Sequence, residues 1–376
     1  MNISQIDVYQ VDLPYAGGTY RLSGGREYAS FDATIVRLTS DTGVTGFGES
    51  TPFGATYIAA HALGVRAGVK EIAPAILGLD PRRVDRVYDA MDAALVGHSH
   101  AKAALDVACW DLFGKAVSMP VCDLLGGRTS QPMGVISSIY AGSLEAMRER
   151  VQAHRLQGYR GHSIKIGEDP QLDADRVTAC LADRQPGEYF IVDANGGLTV
   201  ETGLRFLRLL PRHADIVLEA PCATWREHMS LRKRTDMPMI WDELANSDAA
   251  VTQLISDDAA EGVGLKISKN GGLTPCRRQR DMCISAGYSL SVQDTVGSDI
   301  AFAAIAHMGQ TIPPHLLRCI LDTRDMVSVS TASAAQKGAF ERREGWVTAP
   351  QSPGLGIEPN MQVLGEPVMT FTHLAA

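Results

Sequence analysis

The chain reads as an α/β protein, a modified (β/α)8 TIM barrel preceded by an N-terminal α+β capping domain. Two observations predict the barrel. From about Met133 short apolar runs alternate with amphipathic helical stretches, the pattern of parallel βα units. The residues that close six successive runs are all charged, at steps of 28, 26, 23, 24 and 28 residues. A third observation sets the first 125 residues apart, because their strands and helices come in blocks rather than in alternation.

Within that opening block, Ile3–Leu13 and Thr34–Thr39 have strand patterning, and Asp41-Thr42-Gly43 turns the second into Val44–Gly48. Apolar residues at three- and four-residue spacing then predict helices over Ile58–Leu77, Val84–Leu95 and His100–Ala116. The strands expected for the barrel are Met133–Ser137, His162–Ile166, Tyr189–Asp193, Ile216–Glu219, Met239–Asp242, Gly264–Ile267, Tyr288–Val292 and Leu316–Ile320, eight in all. Ser143, Asp169-Pro170 and Thr274-Pro275 are the start signals expected of the intervening helices. Asn-Gly-Gly-Leu-Thr occurs at 195–199 and again at 270–274, 75 residues on, or three units of about 25. A doubly wound sheet would need G-x-G-x-x-G after its first strand, and the chain has none. The expected division is 1–125 for the cap, 126–349 for the barrel, and 350–376 for a Pro- and Gly-rich segment returning to the cap.

Composition narrows the partners. A net charge of −8 without a basic stripe excludes nucleic acid and anionic membranes, and no apolar run is long enough to span a bilayer. Met1–Tyr15 lacks the build of a signal peptide, so a soluble cytoplasmic protein is expected. Seven scattered cysteines without C-x-x-C are read as reduced core thiols.

In a barrel of this kind the site lies at the C-terminal ends of the strands. Lys165, Asp193, Glu219, Asp242, Lys266 and Asp294 stand at those ends. Three carboxylates brought together repel one another unless a cation joins them, and an all-oxygen set without His or Cys suits Mg²⁺, with Mn²⁺ able to take the same ligands. Lysines flanking such an ion are candidate general bases.

These motifs resemble the enolase superfamily, in its branch of muconate lactonizing enzyme and mandelate racemase. The resemblance implies metal ligands at Asp193, Glu219 and Asp242, and paired bases at Lys165 and Lys266. It also implies α-proton abstraction from a carboxylate substrate and a homo-oligomer. One departure is plain: the branch usually carries Lys-x-Lys on the second strand, where this chain has Ser163-Ile164-Lys165. The core motifs leave racemisation, epimerisation and dehydration open, and do not decide which lysine acts first.

The segments SGGREY, GATYIAAHALG, GHSHAKAALD, IKIG, LEAPC and LKISKNGG are most similar to enzymes acting on proline derivatives, namely cis-3-hydroxy-L-proline dehydratases and hydroxyproline betaine 2-epimerases. Arg318–Asp322 offers no aromatic for a quaternary ammonium, whereas Asp294 and Asp322 suit a secondary one. Dehydration of cis-3-hydroxy-L-proline is therefore the favoured expectation. Betaine epimerisation, acid-sugar dehydration and a binding protein without catalysis stand as rivals. Tyr57, Ser163, Asn195, Asp294, Thr295 and Asp322 are the expected substrate contacts, and Gly17–Tyr28 with Phe53–Tyr57 the loops that close over the substrate. His98-Ser99-His100 lacks further ligands and is set aside as a metal pair, and the four tryptophans are read as packing residues.

Overall fold

The computed structural model describes residues 1–22, 25–212 and 214–373, so Ser23 and Gly24 of the expected loop lie outside the described residues. Three strands of alternating burial, Ile3–Pro14, Ser30–Ser40 and Thr45–Ser50, form an antiparallel sheet. Met369–Thr372 extends it, pairing antiparallel with Ile3–Pro14 in the register Val8↔Met369. The inward row Ile3, Ile6, Val8, Val36 and Leu38 packs on helices Ala62–Ile76 and Ser99–Ala116. The first helix starts at Ala62 rather than Ile58, because the His61 ring accepts the Gly64 N–H at 3.2 Å and caps it there.

Helix Ser99–Ala116 is buried along nearly its whole length, polar residues included, so it lacks the two-faced pattern of a surface helix. It lies directly on strand Thr45–Ser50. A Cβ at Gly48 would stand 2.1 Å from the Ala104 carbonyl oxygen, a contact that only glycine permits.

All eight expected barrel strands form: Met133–Ile139, Gly161–Lys165, Tyr189–Asp193, Val217–Glu219, Met239–Trp241, Gly262–Lys266, Ser289–Gln293 and Leu317–Leu321. Neighbours pair in parallel throughout, and Leu321↔Ile136 closes the ring between the eighth and the first. A short strand unforeseen in the sequence, Trp346–Val347, adds antiparallel to the first, leaving Trp346 partly exposed rather than packed. Trp110 and Trp241 are fully buried.

Most barrel helices carry their own caps. Ser143, Asp169, Thr199, Thr224 and Ser247 each accept a backbone N–H of the first turn, and Pro170 follows Asp169 at the first helical position. Thr274 does not behave as its sequence predicts, since the helix runs Leu273–Ala286 and already includes it. The two Asn-Gly-Gly-Leu-Thr segments therefore differ in phase. Thr199 caps, whereas in the second copy a helical turn, Ile267–Asn270, intervenes and Gly272 occupies the cap position.

Helices Leu273–Ala286 and Asp299–Gly309 have no side-chain cap of their own. Both are capped from the N-terminal domain. Asp106 accepts the Thr274 N–H at 2.9 Å and its hydroxyl at 2.6 Å, and Glu49 accepts the N–H groups of Ser298 and Ala301 at 2.9 and 3.2 Å. Carboxylates are favoured at helix N-termini, which here lie at the C-terminal ends of the strands. The cap is thereby seated over that mouth. All seven cysteines are buried thiols, and no described helix is long and apolar enough to cross a membrane.

Candidate active site

The six charged strand ends converge on the mouth beneath the cap. Asp193, Glu219 and Asp242 are each almost fully buried. Lys165 donates to Asp193 Oδ2, and Lys266 stands 2.5 Å from Asp242 Oδ2. Strands two and six are separated by three strands in either direction around the ring, so the lysines face each other across the cavity. Both line it, together with Ser163 and Glu219.

The local backbone explains how the carboxylates fit. Asn195 sits at φ 45°, a left-handed conformation that asparagine tolerates, and so returns its N–H to Asp193 Oδ1 at 2.8 Å and its amide to Oδ2 at 3.0 Å. Ala220, directly after Glu219, is also left-handed at φ 41° and is held by a bond from its N–H to the Ile240 carbonyl at 3.0 Å. Strain of this kind in a non-glycine residue collects at functional sites. On the sixth strand, a Cβ at Gly264 would stand 3.2 Å from both Glu219 Oε1 and Asp242 Cβ. Glycine keeps that space for the carboxylates.

Electrostatics separate the three acids. Burial, reinforced by Asp193 and Asp242, pushes the Glu219 carboxyl up to about 8. Burial also opposes ionisation of Asp242, yet Lys266 and Lys269 outweigh it and hold that carboxyl at about 2. For both Lys165 and Lys266 burial disfavours the ammonium, but Asp193 and Asp242 respectively overcome it and raise the lysines above their ordinary range. Neither lysine is therefore poised as a free amine while these carboxylates alone face it.

Among the described residues no three His, Cys, Asp or Glu side chains are drawn together as a group that could hold a metal ion. Asp193 and Asp242 are turned onto ammoniums, and Glu219 takes the Gln293 amide at 3.1 Å. The donor set still fits a hard divalent cation. It is all oxygen, it is buried, Asp193 and Asp242 raise the proton affinity of Glu219, and Gly264 leaves it room. The His98/His100 pair has no such setting, because His98 is exposed and His100 is buried against the Ser50 hydroxyl at 2.9 Å.

The substrate contacts expected from the sequence divide. Tyr57, Ser163, Asp294 and Thr295 line the cavity. Asp294 takes the N–H and hydroxyl of Ser268 at 3.0 and 2.7 Å, and burial lifts its carboxyl to about 6 against those bonds. Thr295 donates to the Thr51 carbonyl of the cap at 2.7 Å. Asn195 braces Asp193 behind the wall. Asp322 is not among the residues lining the cavity: Arg324 takes both of its oxygens at 2.8 and 2.7 Å and Arg342 reaches it at 3.3 Å.

Other site residues escaped the sequence reading. Lys269 donates to Asp242 Oδ1, and Glu243 accepts the Tyr57 hydroxyl at 2.7 Å. Their signals were adjacency alone, Glu243 beside Asp242 and Lys269 three residues past Lys266. The roof is aromatic. Tyr20, Phe53 and Tyr57 meet edge to face, with centroids 5.2 and 5.8 Å apart, while the eighth strand offers Cys319 and Leu321.

Comparison with known proteins agrees with this architecture. The sequence profile for the mandelate racemase / muconate lactonizing enzyme N-terminal domain matches residues 26–126, and that for the enolase C-terminal domain-like family matches 146–363. The cis-3-hydroxy-L-proline dehydratase of Roseibium aggregatum is 37% identical over 99% of this chain and 100% of its own. An N-succinyl-L-Arg/Lys racemase from Bacillus cereus is 27% identical over 97% of this chain and 98% of its own. Among solved structures, an Aspergillus oryzae protein assigned to the mandelate racemase/muconate lactonizing enzyme group is 61% identical, with a TM-score of 0.93 over 98% of this chain and 99% of that one. Another so assigned, from Roseovarius nubinhibens and complexed with magnesium, is 56% identical, with a TM-score of 0.96 over 99% of this chain and 100% of that one.

Proposed function

The chain belongs to the mandelate racemase/muconate lactonizing enzyme branch of the enolase superfamily, and on that premise we propose that it dehydrates cis-3-hydroxy-L-proline in a Mg²⁺-dependent reaction. The observation that carries the reading is the full-length similarity to a dehydratase of that substrate, combined with a small aromatic-roofed cavity that has Asp294 in its wall.

Asp193, Glu219 and Asp242 would hold the ion. Bound there, it would supply Lewis-acid stabilisation of charge developing on the substrate carboxylate and would take over the counter-charge that Lys165 and Lys266 now provide. The side chains account for the rest. Asp294, ionised above about pH 6, accepts the substrate's secondary ammonium. One lysine, as the free amine, removes the α-proton, and the electron pair of that C–H bond forms the C2=C3 double bond as the C3–O bond breaks. The hydroxide leaves as water with a proton from the opposite lysine's ammonium. The enamine product tautomerises to Δ1-pyrroline-2-carboxylate. Tyr20, Phe53 and Tyr57 exclude water above the ring. Ser163, where relatives usually carry a lysine, leaves the second strand with one ammonium in the cavity.

Epimerisation of proline betaine or hydroxyproline betaine is the second reading, favoured by that aromatic roof, on which a quaternary ammonium could rest. Proton NMR in D₂O with Mg²⁺ and each substrate distinguishes the two. Loss of the α- and 3-proton signals of cis-3-hydroxy-L-proline with appearance of a pyrroline supports dehydration. Deuterium entering the betaine α-position, with no elimination from the first compound, overturns it.

A further inference from the structure

Tyr57 comes from a cap loop without regular structure, yet its hydroxyl is the centre of a half-buried chain on the barrel. Lys266 Nζ donates to it at 2.7 Å, it donates to Glu243 Oε1 at 2.7 Å, and the Asn195 amide donates to the same Oε1 at 3.0 Å. Lys266 and Asn195 bring N–H donors to the phenol oxygen, so its single proton goes to Glu243 Oε1 and its lone pairs face Lys266 and, at 3.4 Å, the Asn195 amide.

We infer that Glu243 is a positioning residue that acts through Tyr57, seating the cap loop on the barrel and fixing the direction in which the Lys266 amine presents its lone pair. The inference rests on the reading of Lys266 as a proton-transfer group. A neutral amine has two N–H bonds and one lone pair, and rotation about Cε–Nζ would point that pair anywhere on a cone. With one N–H held by Tyr57, whose ring also walls the cavity, and the other by Asp242, rotation stops and the third position, the lone pair, is left to the cavity that Lys266 lines. Asp242, the other partner of Lys266 at 2.5 Å, belongs to the carboxylate arc, so Tyr57 is the contact independent of that arc. One hydroxyl thus ties loop closure to orientation of the base, the arrangement expected where a lid completes a site. Glutamine at 243 would not reproduce it, because its amide can donate to the tyrosine and turn the phenolic proton toward Lys266.

The test uses the Mg²⁺-loaded enzyme and the variants Tyr57→Phe, Glu243→Ala and their double. Tyr57→Phe keeps the ring and serves if Glu243→Ala folds poorly. Hydrogen-exchange mass spectrometry of residues 51–60 is the first readout, with exchange in every variant expected to be about tenfold faster or more. Protection equal to that of the unaltered enzyme overturns the inference. Deuterium entry at the α-carbon of L- and D-proline is the second, since the two α-protons face opposite lysines, and the enantiomer silenced by Lys266→Ala marks the Lys266 face. Each single variant is expected to slow exchange on that face by about 10- to 100-fold and on the other by less than about threefold, with the double no slower than Tyr57→Phe. Equal slowing on both faces, or multiplied losses in the double, overturns it. If the unaltered enzyme exchanges neither enantiomer, the proline reading falls and loop protection alone decides the role of Glu243.

Discussion

Lys269 meets Asp242 twice, donating to its backbone carbonyl at 2.5 Å and to its Oδ1 at 2.8 Å, and gives its third proton to the Gly264 carbonyl at 3.2 Å. Three protons with three acceptors make a fixed cation rather than a proton carrier. The consequence for Asp242 is directional, because Oδ1 is committed to Lys269 and Oδ2 is turned to Lys266 at the mouth.

Replacing Lys269 with methionine keeps the stem and removes the charge. Removal of one partner from a buried pair costs about 3–5 kcal/mol, so denaturant unfolding of Lys269→Met is expected to show a loss of that order. Mg²⁺ titration calorimetry on the same variant should show affinity at least about tenfold weaker, as Asp242 loses its orientation.

Glu219 binds a proton up to about pH 8, through burial and its acidic neighbours. A ligating carboxylate must shed that proton. At pH 7 in weak buffer, Mg²⁺ addition should therefore release roughly one proton per ion, and Mg²⁺ affinity should climb as pH rises toward 8. Glu219→Gln removes the release; persistence of the release in that variant refutes the assignment.

Asp294 titrates near 6 because burial outweighs its hydrogen bonds. Below that pH it is protonated and cannot receive an ammonium. kcat/KM for cis-3-hydroxy-L-proline should fall on the acid side with an apparent pKa near 6, and Asp294→Asn should raise KM while flattening that limb. An acid limb unchanged in the variant would assign it to another group.

Asp106 gives a stability prediction. Burial lifts its carboxyl in the folded protein to about 7, above an unfolded value of about 3.9. Between those values the native state holds a proton that the unfolded state lacks, so this residue's contribution is full below about pH 4 and is lost as pH rises to 7. Urea midpoints of Asp106→Asn should decline less over that interval than those of the unaltered protein.

The barrel was legible because period-two apolar runs and helical spacing alternate without interruption from Met133, and because charged residues end those runs in phase. Asp193, Glu219, Asp242, Lys165 and Lys266 share one mouth for that reason. Asp322 also ends a strand, but two arginines that follow in the chain claim it, and no pattern along the eighth strand announces them. Glu243 and Lys269 matter through bonds across strands and to the cap, which linear spacing does not encode. The capping of helices Leu273–Ala286 and Asp299–Gly309 was hidden likewise, as the capping carboxylates lie more than 160 residues away.

Those two carboxylates, Glu49 and Asp106, bear on how such a protein diverges. Loops of the cap outside the Thr51–Tyr57 segment can change and alter what the cavity admits, because they carry none of the contacts that hold cap to barrel at these helix starts. The sheet and the long helix cannot be exchanged in the same way. A transplanted cap lacking either acid would leave helix-start N–H groups buried without acceptors, so new specificities are expected to arise by loop replacement within an inherited pair of domains rather than by shuffling the domains themselves.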